Sequence, residues 1–216
     1  MIGVLTALAA EQAAESLHDH AHAAEARDGI RAEVVTDITR IQLRVRAGAC
    51  VDARLAEIEK LLGSAAADGR IAGPSWIGRP PRYAIETARW DAAVQSGRVS
   101  LLPLEWQSQF GLLYTGLRYI SEMSSSEQQT WSKLNGLTGL DRLTPDGKLA
   151  LRGEVEQAWF YNHSIDQVTK ILLDVAANQG LKPINRPSRT SGACLPMTTP
   201  TGQGRAQAFP IVTSRR

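Results

Sequence analysis

The sequence predicts an all-α protein, a bundle of five or six helices with a long N-terminal helix and an irregular, Pro/Gly-rich C-terminal tail. Two observations favour this class. Apolar residues recur at steps of three and four through most of the chain, which is the period of a helix with one buried face. Pro and Gly gather in a few short stretches that separate these periodic segments. We find no convincing strand pattern and no internal repeat in the sequence.

Composition sets the broad class. The chain has 216 residues, of which 43% are hydrophobic and 21% are charged, as in ordinary globular proteins. This length supports one domain with a real core, alone or with appendages. The formal net charge of +2 is close to neutral, so no long-range field attracts nucleic acid. We therefore expect no nucleic-acid partner.

The first helix begins in an apolar run that extends from Met1 to Ala10. This run is about half of the ~20 residues that a membrane span needs. No basic leader precedes it, so a secretory signal is not indicated. Little apolar surface follows before Gly29. We interpret residues 1–28 as a membrane-proximal helix, either a truncated anchor or a stalk.

The same helix is expected to continue to Arg46, with a buried stripe from Ile30 onward. The stripe consists of Ile30, Val34, Ile38, Ile41 and Val45. Charged residues, among them Glu33 and Asp37, are expected to surround it on solvated faces. Gly48 marks a turn, and a second, shorter stripe follows that ends near Gly63. Its members are Val51, Leu55, Ile58 and Leu62.

After a Gly/Pro-containing connector over residues 64–81, a central helix pair is predicted over residues 83–123. Gly97 is suited to the left-handed turn that ends the first of the two helices. Pro103 is suited to the first turn of the second helix, where a missing N–H costs nothing. We expect Trp106 to lie in the core, because large aromatic side chains dominate core energetics.

Two further helix starts are predicted. Ser124 with Glu127 three residues later fits a capping box, and Thr144 followed by Pro145 fits a cap and a first-turn proline. The last helix should run to Gly180. Together these elements assign residues 29–182 to a helical bundle domain and residues 183–216 to an irregular tail, where repeated prolines forbid a continuous helix.

Two binding sites are conceivable. A pocket between helices, lined by Trp90, Trp106, Tyr114 and Tyr161, would suit a small ligand. Separately, Glu15, His18 and His22 share one helix face, and carboxylate with imidazole can hold a divalent metal ion. A di-iron site of the bundle type needs a second Glu-x-x-His, which the sequence lacks. The alternative interpretation of this face is a solvated stalk.

The sequence offers no catalytic set. His163 lies beside Ser164 and near Asp166, but neighbouring residues on a helix point in different directions. There is no Gly-x-Ser-x-Gly elbow, no phosphate-binding glycine motif and no His-Glu-x-x-His zinc motif. We therefore predict no catalytic residues and no cofactor.

The two cysteines, Cys50 and Cys194, do not form a Cys-x-x-Cys pair, so a zinc site built on cysteine is not indicated. In an oxidising compartment they would form one long-range disulfide, and in a reducing compartment they would be two thiols. Cys194 lies in a short apolar island of an otherwise featureless tail. A disulfide would explain what fastens that island to the rest of the chain.

Two blocks of residues carry a resemblance. The first block is Gly3-Val4-Leu5-x-Ala7-Leu8 leading into Glu11-Gln12, with Glu25-Ala26 and Ile30-Arg31-x-Glu33 after it. The second block is Trp90-x-x-Ala93-x-x-Ser96-Gly97-Arg98-Val99, with Leu112-x-Tyr114 downstream. Together they resemble a loose class of uncharacterised bacterial proteins that have one N-terminal membrane helix and a helical soluble part. The resemblance covers about the first 120 residues, and this chain departs from the class by carrying half a span. It implies a membrane-tethered, extracytoplasmic helical domain on the periplasmic side and brings no activity.

These observations favour a non-enzymatic, membrane-tethered scaffold or interaction domain. Its partners would be the membrane, through the N-terminal segment, and another protein. A helical sensor or small-ligand-binding domain is the second hypothesis, and a metal-binding protein is the third. A soluble cytoplasmic protein is the alternative location.

Overall fold

The computed structural model describes residues 2–187 and 191–197. The helices are α1 (Ile2–Arg46), α2 (Gly48–Gly63), α3 (Ala88–Gln95), α4 (Leu104–Leu134) and α5 (Pro145–Asn178). Three short 3-10 turns cover Arg98–Leu101, Asn135–Leu137 and Gly192–Cys194. Within the described residues there is no strand, and the only bridge of β type joins Arg70 and Arg142. The predicted all-α class is confirmed.

The predicted bundle of five or six helices is wrong, because the described chain has four helices of bundle length. In the described part of the chain, four helices have 16 residues or more, and α3 has only eight. The capping box at Ser124 is also wrong, because α4 runs through that point without interruption. Ser124 and Glu127 are both buried inside the fold. A Ser followed three residues later by Glu therefore marks one inward face of a continuous helix.

The described chain forms two compact units. The first unit contains residues 2–41, 84–119 and 170–186. The second unit contains residues 42–83, 120–169, 187 and 191–197. Helices α1, α4 and α5 each contribute residues to both units.

In the first unit, α1 is buried along the predicted stripe, with Ile30, Val34 and Ile38 wholly enclosed. N-terminal to this stripe, every side chain described between Glu11 and Ala21 is exposed. Gly97 adopts the expected left-handed conformation, with φ 74°. Trp106, which was expected in the core, is only half-buried, whereas four side chains one to three turns later in α4 are fully buried. Those side chains are Phe110, Leu113, Tyr114 and Leu117.

In the second unit, the core is built on α2. The predicted stripe of Val51, Leu55, Ile58 and Leu62 is fully buried, and it belongs to one apolar cluster with Trp131 of α4. Val155 and Ala158 of α5 belong to the same cluster. The connector adds Ile77 to it. Trp131 is fully buried in this cluster.

Residues Ser191–Met197, which we call the strap, are fastened to α2 by the predicted disulfide. The sulfur atoms of Cys50 and Cys194 are 2.17 Å apart, and their Cα atoms are 4.9 Å apart. The connector and the strap approach closely at Gly78, where a Cβ atom would lie 2.6 Å from the carbonyl oxygen of Gly192. Gly78 also has φ 77°, a conformation that other residues avoid.

Arg54 of α2 provides a second fastening. Its side chain is 2% exposed and donates hydrogen bonds to the carbonyl oxygens of Ile77, in the connector, and Leu195, in the strap. Its Nε atom donates to Glu57 over 2.9 Å. Burial lowers the pKa of the Arg54 guanidinium, an effect that Glu57 opposes. One buried side chain thus joins two irregular segments to a helix.

Within the described residues, no helix combines the length and the apolar character that a membrane crossing requires.

Candidate functional site

A polar cleft of about 280 Å³ lies in the second unit. One wall is the end of α1 with the first two turns of α2, and the other is the middle of α5. Its polar lining consists of Arg44, Asp52, Asn162, His163 and Asp166 around Gly48. Ala47, between α1 and α2, keeps a right-handed helical conformation with φ −86° and ψ −7°. Arg44 and Asp52, on either side of it, both line the cleft.

Arg44, which lines the cleft, belongs to a buried ion pair. Arg44 of α1 is 3% exposed, and its Nη2 atom lies 2.5 Å from Oε1 of Glu127, which is wholly buried in α4. The same Nη2 donates to Oδ1 of Asn162 over 2.9 Å. Burial raises the pKa of the Glu127 carboxyl, while Arg44 opposes that rise. Removing charges from water is expensive, so this pair depends on the quality of its partners.

The pair is incompletely satisfied. Among the described residues, Nε of Arg44 has no hydrogen-bond acceptor and Oε2 of Glu127 has no donor, although both atoms are buried. Buried polar atoms are hydrogen-bonded in most native proteins, and an unmade bond costs about 1–3 kcal/mol. This buried pair therefore has hydrogen-bonding capacity that the described residues do not use.

The rim of the cleft carries a carboxylate and an imidazole in contact. Oδ1 of Asp52 lies 3.4 Å from Nε2 of His163 and accepts a hydrogen bond of 2.8 Å from Nδ2 of Asn162. The same Nδ2 donates to the carbonyl oxygen of Gly48 over 3.2 Å. Asn162 thus fixes Asp52 in place, while both rim side chains remain open to solvent.

The lining of the cleft combines an imidazole with carboxylates. The residues that line the cleft include no serine, threonine, cysteine or lysine that could serve as a nucleophile. The carboxylate in contact with His163 is that of Asp52 in α2, which lies far from it in the sequence.

The sequence pattern gave no warning of this site for Arg44 and Asp52. The sequence carried one signal for Asn162. This polar residue lies four residues after Ala158 and three before Ile165, in the apolar stripe of α5. Polar residues at such positions are expected to have specific partners.

The predicted aromatic site is partly assembled. In the first unit the rings of Trp90 and Tyr114 stack with centroids 4.9 Å apart, and Trp106 lies 6.4 Å from Trp90. Trp106 also stacks on Phe110. The rings fill the space between one another. Tyr161 belongs to the second unit, where its hydroxyl accepts a hydrogen bond from Gln157. Ligand binding by these four residues stays a prediction.

The predicted metal site is also only partly assembled. His18 and His22 are in contact, with their Nε2 atoms 2.9 Å apart. Glu15 instead lines a shallow groove with Gln12, Asp19, His20 and Leu101. Over the part of the chain that the structure describes, no three His, Cys, Asp or Glu side chains are placed to hold a metal ion. Metal binding at Glu15, His18 and His22 therefore rests on the sequence pattern alone.

A second buried polar cluster lies in the first unit, where Glu33 and Asp37 of α1 are buried rather than solvated as expected. Glu33 accepts hydrogen bonds from the backbone N–H of Arg89 over 2.9 Å and from the hydroxyl of Tyr114 over 2.6 Å. Burial, and then Glu33, raise the pKa of the Tyr114 hydroxyl.

Asp37 accepts from the backbone N–H of Glu86 over 3.1 Å and from Arg40 over 3.0 Å. Burial raises the pKa of Asp37 to about 6, against these hydrogen bonds. The two carboxylates supply acceptors for N–H groups at and before the first turn of α3, which has no side-chain cap of its own. This cluster serves the fold.

Comparison with models of known families, with curated proteins and with solved structures finds no match. The functional proposals below therefore rest on the residues and geometry of this chain.

Proposed function

We propose that the chain is a non-enzymatic interaction domain, tethered to a membrane through its N-terminal segment and exposed to an extracytoplasmic compartment. The observation that carries the proposal is the Cys50–Cys194 disulfide. Structural disulfides persist in oxidising compartments and are rare in the cytosol. The apolar run over residues 1–10 supports the tether. The exposed part of α1 that follows supports a stalk.

An exposed apolar stripe on α4 supports the interaction role. Leu104, Leu112 and Tyr119 are 76%, 51% and 38% exposed. They are spaced by eight and seven residues, which places them on one helix face. Single exposed apolar residues are common, whereas an aligned set on one helix is typical of a contact surface.

The location is tested with the full chain in bacterial cells, by membrane fractionation and by labelling with a maleimide polymer. We expect the chain in the membrane fraction, with both cysteines labelled only after reduction. The Cys50→Ser variant is the control, because its single remaining thiol should be labelled without reductant. A wild-type chain that is soluble and labelled twice without reductant would overturn the proposed location.

The interaction role is tested by placing a photo-cross-linking amino acid at Leu112. Glu122, an exposed position on the same helix, is the matched control. We expect a defined protein adduct from Leu112 and not from Glu122, reduced in yield by Leu104→Ser and Tyr119→Ser. The same adducts from both positions, or adducts insensitive to both substitutions, would contradict an interface at this stripe.

A second candidate function is binding of a small molecule, and the polar cleft favours it. Several polar side chains from three helices converge there, and binding sites commonly combine a cavity with a few such groups. This candidate uses a different pocket from the predicted aromatic one.

A further inference from the structure

We infer that His18 and His22 of α1 form a two-histidine site for a divalent copper ion. The two residues lie one helical turn apart in the N-terminal part of α1, within the first unit. The site shares no residue with the exposed stripe on α4 or with the polar cleft, so it goes beyond the proposed interaction role.

The site is built on two ring nitrogens that converge. The Nε2 atoms of His18 and His22 are 2.9 Å apart, and their rings meet at 81° with centroids 4.2 Å apart. At this distance one ring N–H donates to the nitrogen of the other ring. Residues four apart on a helix are neighbours on one face, which brings these atoms together. Because a neutral imidazole nitrogen is a common metal ligand, two atoms that share a proton can also share a metal ion.

The separation of the two nitrogens indicates the coordination geometry. Bonds from imidazole nitrogen to Zn²⁺ are about 2.0–2.1 Å long, and two bonds of that length at a right angle place their nitrogens about 2.9 Å apart, whereas the tetrahedral angle needs about 3.3–3.4 Å. The 2.9 Å between the Nε2 atoms therefore fits adjacent corners of a square. Square-planar and tetragonal sites are typical of Cu²⁺ and Ni²⁺, and Cu²⁺ binds more tightly than either Ni²⁺ or Zn²⁺. The geometry thus favours Cu²⁺.

Glu25 supports the tautomer that metal binding requires. When Nε2 binds a metal, the ring proton resides on Nδ1. Nδ1 of His22 lies 3.9 Å from Oε2 of Glu25, one turn further along α1. A carboxylate beside Nδ1 orients a metal-binding imidazole and raises its basicity. The ring that gives up its Nε2 proton takes one up at Nδ1, so binding to the neutral pair releases no net proton.

Water supplies the remaining ligands. In the described part of the chain, no third His, Cys, Asp or Glu side chain joins the two imidazoles as a metal ligand. Glu15, the third residue of the predicted site, lines a separate groove with Asp19 and His20. His18 is exposed and the side chain of His22 is 34% exposed, so solvent reaches both rings.

The test titrates Cu²⁺ into the full, disulfide-bonded chain without an affinity tag, followed by calorimetry and electron paramagnetic resonance. We expect a single tight site per chain, with a tetragonal spectrum that shows splitting by two nitrogens. His18→Gln and His22→Gln should each weaken Cu²⁺ binding about a hundredfold, because the advantage of two linked binding groups is lost. Each variant should also leave splitting by one nitrogen.

His20→Gln is the matched control, because it removes an exposed imidazole of the same helix that lines the separate groove. Its affinity and spectrum should equal those of the wild type. Glu25→Gln should weaken binding about tenfold, as expected for a partner of a metal-binding histidine, and should keep the splitting by two nitrogens.

Absence of tight Cu²⁺ binding, or an equal loss of affinity in His20→Gln and His18→Gln, would overturn the site. Zn²⁺ bound as tightly as Cu²⁺, or a spectrum of tetrahedral character, would overturn the assignment of copper and leave the two-histidine site standing. Unchanged affinity in Glu25→Gln would overturn the role of Glu25.

Discussion

The two units use buried charged groups for different purposes. In the first unit, Glu33 and Asp37 accept hydrogen bonds from backbone N–H groups around the start of α3 and from neighbouring side chains. In the second unit, the disulfide and Arg54 hold the irregular segments against α2. The buried pair of Arg44 and Glu127 there keeps unpaired atoms beside an open cleft. The first pair of buried carboxylates therefore organises the chain around the start of α3, whereas the ion pair retains hydrogen-bonding capacity that the described residues do not use.

The largest expected effect breaks the covalent fastening of the second unit. The double variant Cys50→Ser, Cys194→Ser removes a cross-link between residues 144 positions apart in sequence. The chain-entropy estimate is a loss of about 4–5 kcal/mol in the free energy of unfolding. Hydrogen exchange should rise first in the strap and in the first turn of α2.

Denaturant unfolding of the double variant gives the size of this effect, with the oxidised wild type as reference. A loss below about 1 kcal/mol, the range of surface changes, would mean that Arg54 and apolar packing hold the strap without the disulfide.

The buried ion pair gives the next largest effect. Arg44→Met leaves the Glu127 carboxyl buried without its partner, which should destabilise the protein by about 3–5 kcal/mol. Adding Glu127→Leu removes the uncompensated charge and should recover most of that loss. A double-mutant cycle by denaturant unfolding measures the coupling. If the double variant is no more stable than Arg44→Met alone, the pair is not the unit that we describe.

Apolar periodicity predicted α1, α2 and α5 well because each buries one apolar stripe. An analysis of apolar periodicity does not detect charged residues that are buried on the same helix face. Glu33, Asp37 and Arg44 follow Ile30 on α1 at steps of three, four and seven residues, so they share its inward face. The charge pattern had placed Glu33 and Asp37 on solvated faces.

The cleft was beyond local sequence patterns. Asp52 and His163 stand on different helices, and only tertiary packing brings them within 3.4 Å. The one usable clue was Asn162, a polar residue in an apolar stripe. The error at Ser124 and Glu127 has a similar origin, since a capping box and two inward residues one turn apart have the same spacing.

A smaller loss of stability is expected when the buried carboxylate of Glu33 in the first unit is removed. Glu33→Gln removes the charge that strengthens the hydrogen bonds from Tyr114 and from the backbone of Arg89. We expect a loss of about 1.5–3 kcal/mol, the range for hydrogen bonds to charged groups. Glu25→Gln, an exposed change on the same helix, should fall within about 0.5 kcal/mol of the wild type. Equal effects of the two substitutions in thermal or denaturant unfolding would refute the structural role of Glu33.

The smallest expected effect is a pH dependence that belongs to Asp37. Burial raises its pKa from 3.8 to about 6, while the backbone N–H of Glu86 and the Arg40 side chain act in the opposite direction. Since the folded state binds the proton more tightly than the unfolded state, Asp37 contributes stability below pH 3.8 that is lost as the pH rises through 6. Lowering the pH from 7 to 5 should therefore stabilise the wild type relative to Asp37→Asn by about 1 kcal/mol. The comparison is made as a difference so that the pH responses of all other groups, which the two proteins share, cancel. Urea unfolding of both proteins at several pH values between 5 and 7 gives that difference directly. Parallel stability curves would mean that the hydrogen bonds from Glu86 and Arg40 outweigh burial, and that Asp37 is ionised throughout this range.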